Sequence, residues 1–321
     1  MCALVKTSEN FNSSKNAYPN ITVGVITHAN TFVNFEHFLV EFAPALHNYP
    51  GQCELIVVNN SGEAAAKKTE NQIEQSRVRD AGDVKLLSSM DNNIATGRNL
   101  VLTHATHDFV AFIDDDEFPV PLWLVHLMDV MQQYECQMVA GPTNPLYLFD
   151  TPKWMRNIDL HRTEGKITGQ LLENCGAGNV LIEKSSIVGD FFNTDFGHSG
   201  GEDTEFFMRQ IEHGLKLRWS DGAATFEYIP QSKSTGYYQI KRAMQQGQIN
   251  RRILTFRGDI HSQTAYSLRS LLMITASIII APVLLLIAHP KAGNWVIRGF
   301  ANLGHLVSVQ SSLYGNVNGK E

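Results

Sequence analysis

Short apolar runs alternate with amphipathic stretches through the first half of the chain. Ile21 to Thr27 (ITVGVIT) reads as a strand, Asn34 to His47 as a helix, Glu54 to Asn59 as a strand and Glu63 to Arg77 as a polar helix. Val84 to Ser88, Ala95 to Ala105 and Phe109 to Asp114 continue as strand, helix and strand, and Trp123 to Glu135 with Gln137 to Gly141 adds another helix and strand. This alternation with short connections predicts an α/β domain with a largely parallel sheet. Ligands of such sheets bind beyond the carboxyl ends of the strands. Three of those ends carry polar groups, namely Thr27 with His28, Asn59 with Asn60, and Asp114 to Asp116, so a shared polar rim is expected.

The rhythm fails after Gly141. Thr143 to Thr168 holds Pro145, Pro152 and Trp154 among mixed charges, and is expected to be a long excursion over the site. Cys175 to Ile182 (CGAGNVLI) is a glycine-flanked turn into a short strand, with neither GxGxxG nor Walker spacing. Its small residues either admit a sugar close to the backbone or make a tight turn. Gly200-Gly201-Glu202-Asp203 then leads into an amphipathic helix ending near His213, with Phe206, Phe207 and Ile211 on its apolar face.

The C-terminal quarter has a different pattern. Leu271 to Ala288 carries no charge and is bounded by Arg269 on one side and by His289 and Lys291 on the other. Its length is at the lower edge for a membrane-crossing helix, and Pro282 would kink it. Trp295 to Val309 mixes apolar residues with Arg298, Asn302, Gly304 and His305, and reads as interfacial. The basic flanks favour membrane attachment with those flanks cytoplasmic, the alternative being a buried helix pair.

The 321 residues, 43% of them hydrophobic, suffice for a full core. A net charge of −6 argues against bulk nucleic-acid binding. Between Lys233 and Arg257, however, six positive residues (Lys233, Lys241, Arg242, Arg251, Arg252, Arg257) occur without an acid, a run suited to a diphosphate or an anionic membrane surface. The four cysteines lack CxxC spacing and the histidines lack HExxH spacing, so no zinc site or disulfide framework is suggested. Met1 to Pro19 is polar, lacks the apolar core of a secretory signal, and is expected to be a loose tail of a domain that is not exported. The expected organisation is a flexible tail over 1–19, a catalytic domain over 20–232, a basic amphipathic helical region over 233–267 and a hydrophobic membrane-associated segment over 268–321.

Two acidic clusters carry the candidate chemistry. FVAFIDDDE ends a strand on Asp114, Asp115 and Asp116, with Pro119 and Pro121 beyond. Adjacent carboxylates repel, so they need either water, as in a solvated acidic turn, or a hard cation such as Mg2+, Mn2+ or Ca2+. Glu202 and Asp203 open a helix, where the helix dipole alone favours acids. The alternative is a general base opposite a metal-bound leaving group.

The segments ITVGVITHAN, ELIVVNNSG, NNIATGRN, FIDDDE and GGEDTEFFMR, in this order over Ile21 to Arg209, resemble the family-2 inverting glycosyltransferases of GT-A type. Within that family the chain is similar to the bacterial exopolysaccharide and O-antigen group that includes succinoglycan-biosynthesis transferases. The resemblance implies a Rossmann-like nucleotide-sugar-binding domain using Mn2+ or Mg2+. Asp114 and Asp116 would be the ends of the DxD motif, with Asp116 the direct metal ligand, and Asp115 would touch the donor ribose or sugar. Thr27 would lie near the nucleobase, Asn60 would stand where the family usually has Asp on uracil, and Arg98 would reach the diphosphate. Asp203 would be the general base and Glu202 its partner. Gly200, Gly201, Glu227, Arg251 and Arg252 are candidates for the acceptor or diphosphate side. The last position of QINRR is Arg where processive synthases carry Trp, so addition of one sugar to a lipid-linked acceptor is expected over polymerisation. The implied partners are a UDP-sugar, a lipid-linked saccharide and the cytoplasmic face of the inner membrane. Nucleotidyl transfer to a sugar phosphate and a catalytically inactive membrane-bound glycan-binding protein are the alternatives.

Overall fold

A computed structural model describes residues 18–28, 35–61, 63–147, 166–258, 260–287, 289 and 291–307. Most of the expected tail, and residues 148–165 of the expected excursion, lie outside the described residues.

The first half folds as its periodicity predicts. Strands β1 (Ile21–Thr27), β2 (Cys53–Asn59), β3 (Asp83–Ser88) and β4 (Phe109–Ile113) are parallel neighbours in the order β3-β2-β1-β4. Helices α1 (Phe35–His47), α2 (Glu63–Gln75) and α3 (Ile94–His104) make the crossovers between them. The strands read as continuous apolar runs because both faces are covered. Val23, Val25, Leu55, Val57 and Ala111 face α1 and α4 (Trp123–Tyr134), whereas Ile56, Val58, Val110 and Phe112 face α3 and a second core around Phe192, Phe206 and Phe207. Gly24 lets α3 sit close, since a Cβ there would lie 2.4 Å from Val101 Cγ1.

Beyond β4 the sheet becomes mixed. It continues through β8 (Asn179–Glu183), β6 (Met138–Ala140) and β9 (Leu217–Trp219), with β8 antiparallel to both β4 and β6. A separate three-stranded sheet, β5-β10-β7, is built from β5 (Glu117–Pro119), β10 (Thr225–Ile229) and β7 (Thr143–Tyr147). Its β7 occupies the start of the segment expected to be an irregular excursion. Asn179 ties the two sheets together: its Oδ1 accepts from Trp123 Nε1 at 2.8 Å, and its Nδ2 donates to the carbonyls of Pro142 at 3.0 Å and Ala223 at 2.8 Å.

Helix α5 (Glu202–Glu212) follows, and then three C-terminal helices, α6 (Gly236–Phe256), α7 (Ile260–Leu286) and α8 (Ala292–Leu306). Helix α8 packs between α6 and α7. The α6–α8 crossing is very close, because a Cβ on Gly247 would meet Ala301 O at 1.9 Å and one on Gly304 would meet Met244 O at 2.0 Å. Among the described residues α7 is the one helix long and apolar enough to cross a membrane.

Candidate active site

Parallel pairing places the strand ends together. Thr27 and Asn59 are register partners, the Asn60 amide donates to Thr27 O at 2.9 Å, and the His28 amide donates to Asp115 Oδ2 at 3.3 Å. The rim expected from the sequence is therefore one contiguous surface. Thr27 and Asn60 are buried, and Asn60 Oδ1 has no hydrogen-bond partner among the described residues.

The acidic turn between β4 and β5 meets α3 and α5. Arg98, buried on α3, donates through Nη1 to Glu202 Oε1 at 2.5 Å, and its Nη2 lies 3.5 Å from Asp114 Oδ1. One guanidinium thus bridges the two acidic clusters. Asp203, next to Glu202, accepts at Oδ1 from the Thr204 amide at 2.6 Å. Its Oδ2 faces Gly176, where a Cβ would sit 3.5 Å away. Gly178 makes room for the acidic turn, since its Cβ would stand 2.6 Å from Asp114 Oδ2 and 2.8 Å from Glu117 Oε1. The CGAGN turn is thus glycine-rich because carboxylates occupy the space a side chain would take.

Two members of the site were not singled out from the sequence. Glu117 is buried and accepts at Oε2 from Thr225 Oγ1 at 2.5 Å and Thr143 Oγ1 at 3.0 Å. Its position directly after three aspartates was the available signal. Lys233, read as part of a basic run, pairs with Glu227 Oε1 at 2.8 Å and lies 3.7 Å from Asp116 Oδ2. The other run members diverge. Arg251 donates to the carbonyls of His305 and Leu306 at the end of α8, and Arg252 donates to Ser199 Oγ and Asp195 O, so neither joins the carboxylates. Arg257 pairs with Glu212.

Gly200 and Gly201 both adopt left-handed backbone, with φ of 80° and 99°, a region that costs other residues about 1–2 kcal/mol. At Gly201 a Cβ would also meet Ile249 Cγ2 of α6 at 2.6 Å. The glycine pair lets the chain turn sharply under α6 and enter α5 with Glu202 and Asp203 in its first turn, near the helix N-terminal dipole.

The electrostatics record an excess of negative charge. Asp114 keeps 45% of its side-chain surface, although protein packs closely around its carboxylate. Burial raises its pKa against the pull of Arg98, and Asp203 and Glu227 add to the rise. Burial, then Glu227 and Asp114, push Asp116 up to about 7 although Lys233 opposes them. Burial, then Asp203, push Glu202 up to about 7 against Arg98. Carboxyls raised in this way favour the protonated form unless a nearby cation offsets their charge. Among the described residues no group of three or more His, Cys, Asp or Glu side chains converges as a metal cage.

Residues 23–187 match the family description "Glycosyl transferase family 2". The chain belongs to this family. It is 30% identical over 214 residues to the succinoglycan biosynthesis protein ExoM of Rhizobium meliloti (strain 1021), covering 65% of this chain and 68% of that protein. Hyaluronan synthase of Pasteurella multocida is 22% identical over 187 residues, which are 47% of this chain and 19% of the synthase, so the chain spans about a fifth of that relative. The crystal structure of GalNAc-T7 with UDP, GalNAc and Mn2+ superimposes with a TM-score of 0.50 at 10% identity, over 67% of this chain and 45% of that one. At that identity the likeness is one of fold. The family 2 transferase therefore has the mixed α/β, Rossmann-like GT-A architecture.

Proposed function

We propose that this family 2 glycosyltransferase moves a hexose from a UDP-sugar to a lipid-linked saccharide in cell-surface polysaccharide synthesis, inverting the anomeric centre, at the cytoplasmic face of the inner membrane. The single observation that carries the reading is the Arg98 bridge, which holds the DxD turn and the Glu202-Asp203 helix start side by side. The likeness to ExoM supports a role in polysaccharide assembly, and the UDP in the GalNAc-T7 structure supports a nucleotide-sugar donor.

The donor set fits a Mn2+ or Mg2+ ion. Magnesium-type ions take one or two carboxylates together with substrate phosphate oxygens and water, and Asp116 and Asp114 supply hard oxygens beside further carboxylates, Asp203 and Glu227, that raise their pKa values. When bound there, the ion would offset the charge of the departing nucleoside diphosphate.

The chain's own residues do the remainder. Thr27 and Asn60 line the base end, where the unpartnered Asn60 Oδ1 is an acceptor for a ring N–H. Asp115, the middle residue of the DxD turn, is tied to the His28 amide beside the base end, in reach of the sugar portion of the donor. Asp203 removes the proton from the acceptor hydroxyl, whose oxygen attacks the anomeric carbon from the face opposite the diphosphate. A single displacement of this kind inverts the centre. Arg98 and Glu202 hold Asp203 in place and do not themselves exchange protons with substrate.

Calorimetric titration of the purified protein with UDP, GDP and a nucleoside triphosphate, each with and without Mn2+, tests the reading. Metal-dependent binding of UDP is expected. Preference for the triphosphate would favour nucleotidyl transfer, and absence of diphosphate binding under every condition would leave a binding protein.

A further inference from the structure

The C-terminal helices are layered. Helix α6 touches the catalytic domain through Ile249 and Ile253, which pack on Phe196, α8 lies on α6, and α7 is the outermost layer. Helix α7 is amphipathic in the inverted sense. Ser270, Ser277 and Ala281 are its buried residues, whereas Leu268, Leu271, Leu272, Ile278, Ile279, Val283 and Leu286 form one outward stripe, Leu272 and Ile279 with more than 60% of their surface open. Small and polar residues inside and large apolar residues outside is the pattern of a helix solvated by lipid.

Helix α8 runs back along α7. A Cβ on Gly299 would lie 3.0 Å from Ser277 Cβ, and His305 Nε2 reaches to within 3.5 Å of Ser267 Oγ. The middle of the apolar stripe is therefore level with Gly299, beside which Arg298 is exposed. Were α7 to cross the bilayer, Arg298 would face hydrocarbon near mid-depth, at a cost of at least about 2.5–3.5 kcal/mol, and the exposed Lys291 at the turn would have to emerge on the far side. Between Lys233 and Val307 there are nine Lys and Arg residues and one acid, Asp259, which suits anionic headgroups.

We infer that the α7–α8 hairpin does not span the membrane but lies along the plane of one leaflet, with the α7 stripe immersed and Arg269, Lys291 and Arg298 at the level of anionic lipid headgroups on the side of the catalytic domain. This deepens the membrane attachment given under Proposed function and rests on it. Helix α6 then joins the lipid surface to the glycine turn before Asp203, which places the base close to the interface from which a lipid-linked acceptor presents its hydroxyl.

The test is cysteine accessibility in the full chain, expressed in the inner membrane of a bacterial host with Cys2 and Cys175 replaced by Ser. A membrane-impermeant maleimide is applied to intact spheroplasts and to inverted vesicles carrying His261→Cys or Lys291→Cys. Both positions are expected to react in inverted vesicles and neither in spheroplasts. Reaction of Lys291→Cys from the outside of spheroplasts overturns the in-plane arrangement, as does its failure to react from either side. In both cases the chain remains in the membrane fraction and the attachment itself stands. Recovery of the chain in the soluble fraction would overturn both.

Discussion

Arg98 and Glu202, 104 positions apart, meet in a buried 2.5 Å ion pair that also leaves the arginine 3.5 Å from Asp114. Removing one partner of such a pair strands the other charge, at a cost of about 3–5 kcal/mol. Arg98→Ala is therefore expected to lower the thermal midpoint markedly and abolish transfer, while Arg98→Lys, which keeps the charge but not the fork, retains more stability than activity. Differential scanning calorimetry beside a transfer assay checks this. Equal loss of both in the lysine variant would contradict a positioning role.

Gly178 offers a finer probe of the DxD turn. Alanine there would press on Asp114 and Glu117 without touching the hydrophobic cores. A displacement near 1 Å at a reacting centre costs about 100-fold in rate, so Gly178→Ala is expected to lose activity on that order. Overpacking adds about 1–3 kcal/mol of destabilisation. Steady-state kinetics with unchanged turnover would show that the turn has slack.

The parallel half of the fold is legible because β1, β2 and β4 are mostly apolar and run into polar residues at their carboxyl ends, which announces both a doubly covered sheet and its ligand edge. Asp114, Asp116 and Asp203 stand out in the sequence as acids clustered after a strand and a glycine pair, but a solvated turn or a helix dipole would also explain them, and it is the family resemblance that implies their roles. The small β5-β10-β7 sheet was not legible. β5 has three residues, β7 contains Pro145, and both are ordered by pairing with β10 rather than by their own periodicity. Lys233 is hidden for a similar reason: in the sequence it belongs to a basic run, and only the fold reveals that its partners, Glu227 and Asp116, come from β10 and the DxD turn.

Asp116 links metal affinity to pH. Burial, then Glu227 and Asp114, raise it to about 7, above its ordinary value of 3.8. A raised carboxyl contributes stability that is fully present below about pH 4 and lost as pH rises through 7, because ionisation is unfavourable in the fold. A divalent ion requires the ionised form and so competes with the proton. Mn2+ is expected to raise the thermal midpoint more at pH 8 than at pH 6, with metal affinity increasing up to about tenfold per pH unit below 7. A pH-independent shift in differential scanning fluorimetry would remove Asp116 from the metal site.

Acid stability has a separate source on the far side of the sheet. Burial alone would raise Glu54, but Lys85, the Thr22 hydroxyl at 2.6 Å and the Thr106 amide at 3.0 Å outweigh it and hold the carboxyl at about 2. A lowered carboxyl stabilises the fold above its unfolded value of about 4.5, and that contribution is lost as pH falls toward 2. With Lys85 41% exposed, screening reduces the contribution to about 2 kcal/mol. Glu54→Gln is expected to flatten the stability profile between pH 4.5 and 2, as read by urea denaturation, without affecting donor binding.

The base assignment is decided by separating chemistry from binding. Asp203→Asn keeps the shape of the side chain, and an amide oxygen can still accept from the Thr204 amide, so donor affinity should stay within about twofold while turnover falls by about 100- to 10,000-fold, the usual range for a lost general base. Asp116→Ala should do the reverse at the binding step, weakening donor affinity in Mn2+ and leaving metal-free affinity unchanged. The two variants together distinguish a base from a ligand: if Asp203→Asn retained full turnover, the acceptor proton would have to leave through another group, and the neighbouring Glu202, held by Arg98, would be the next to replace.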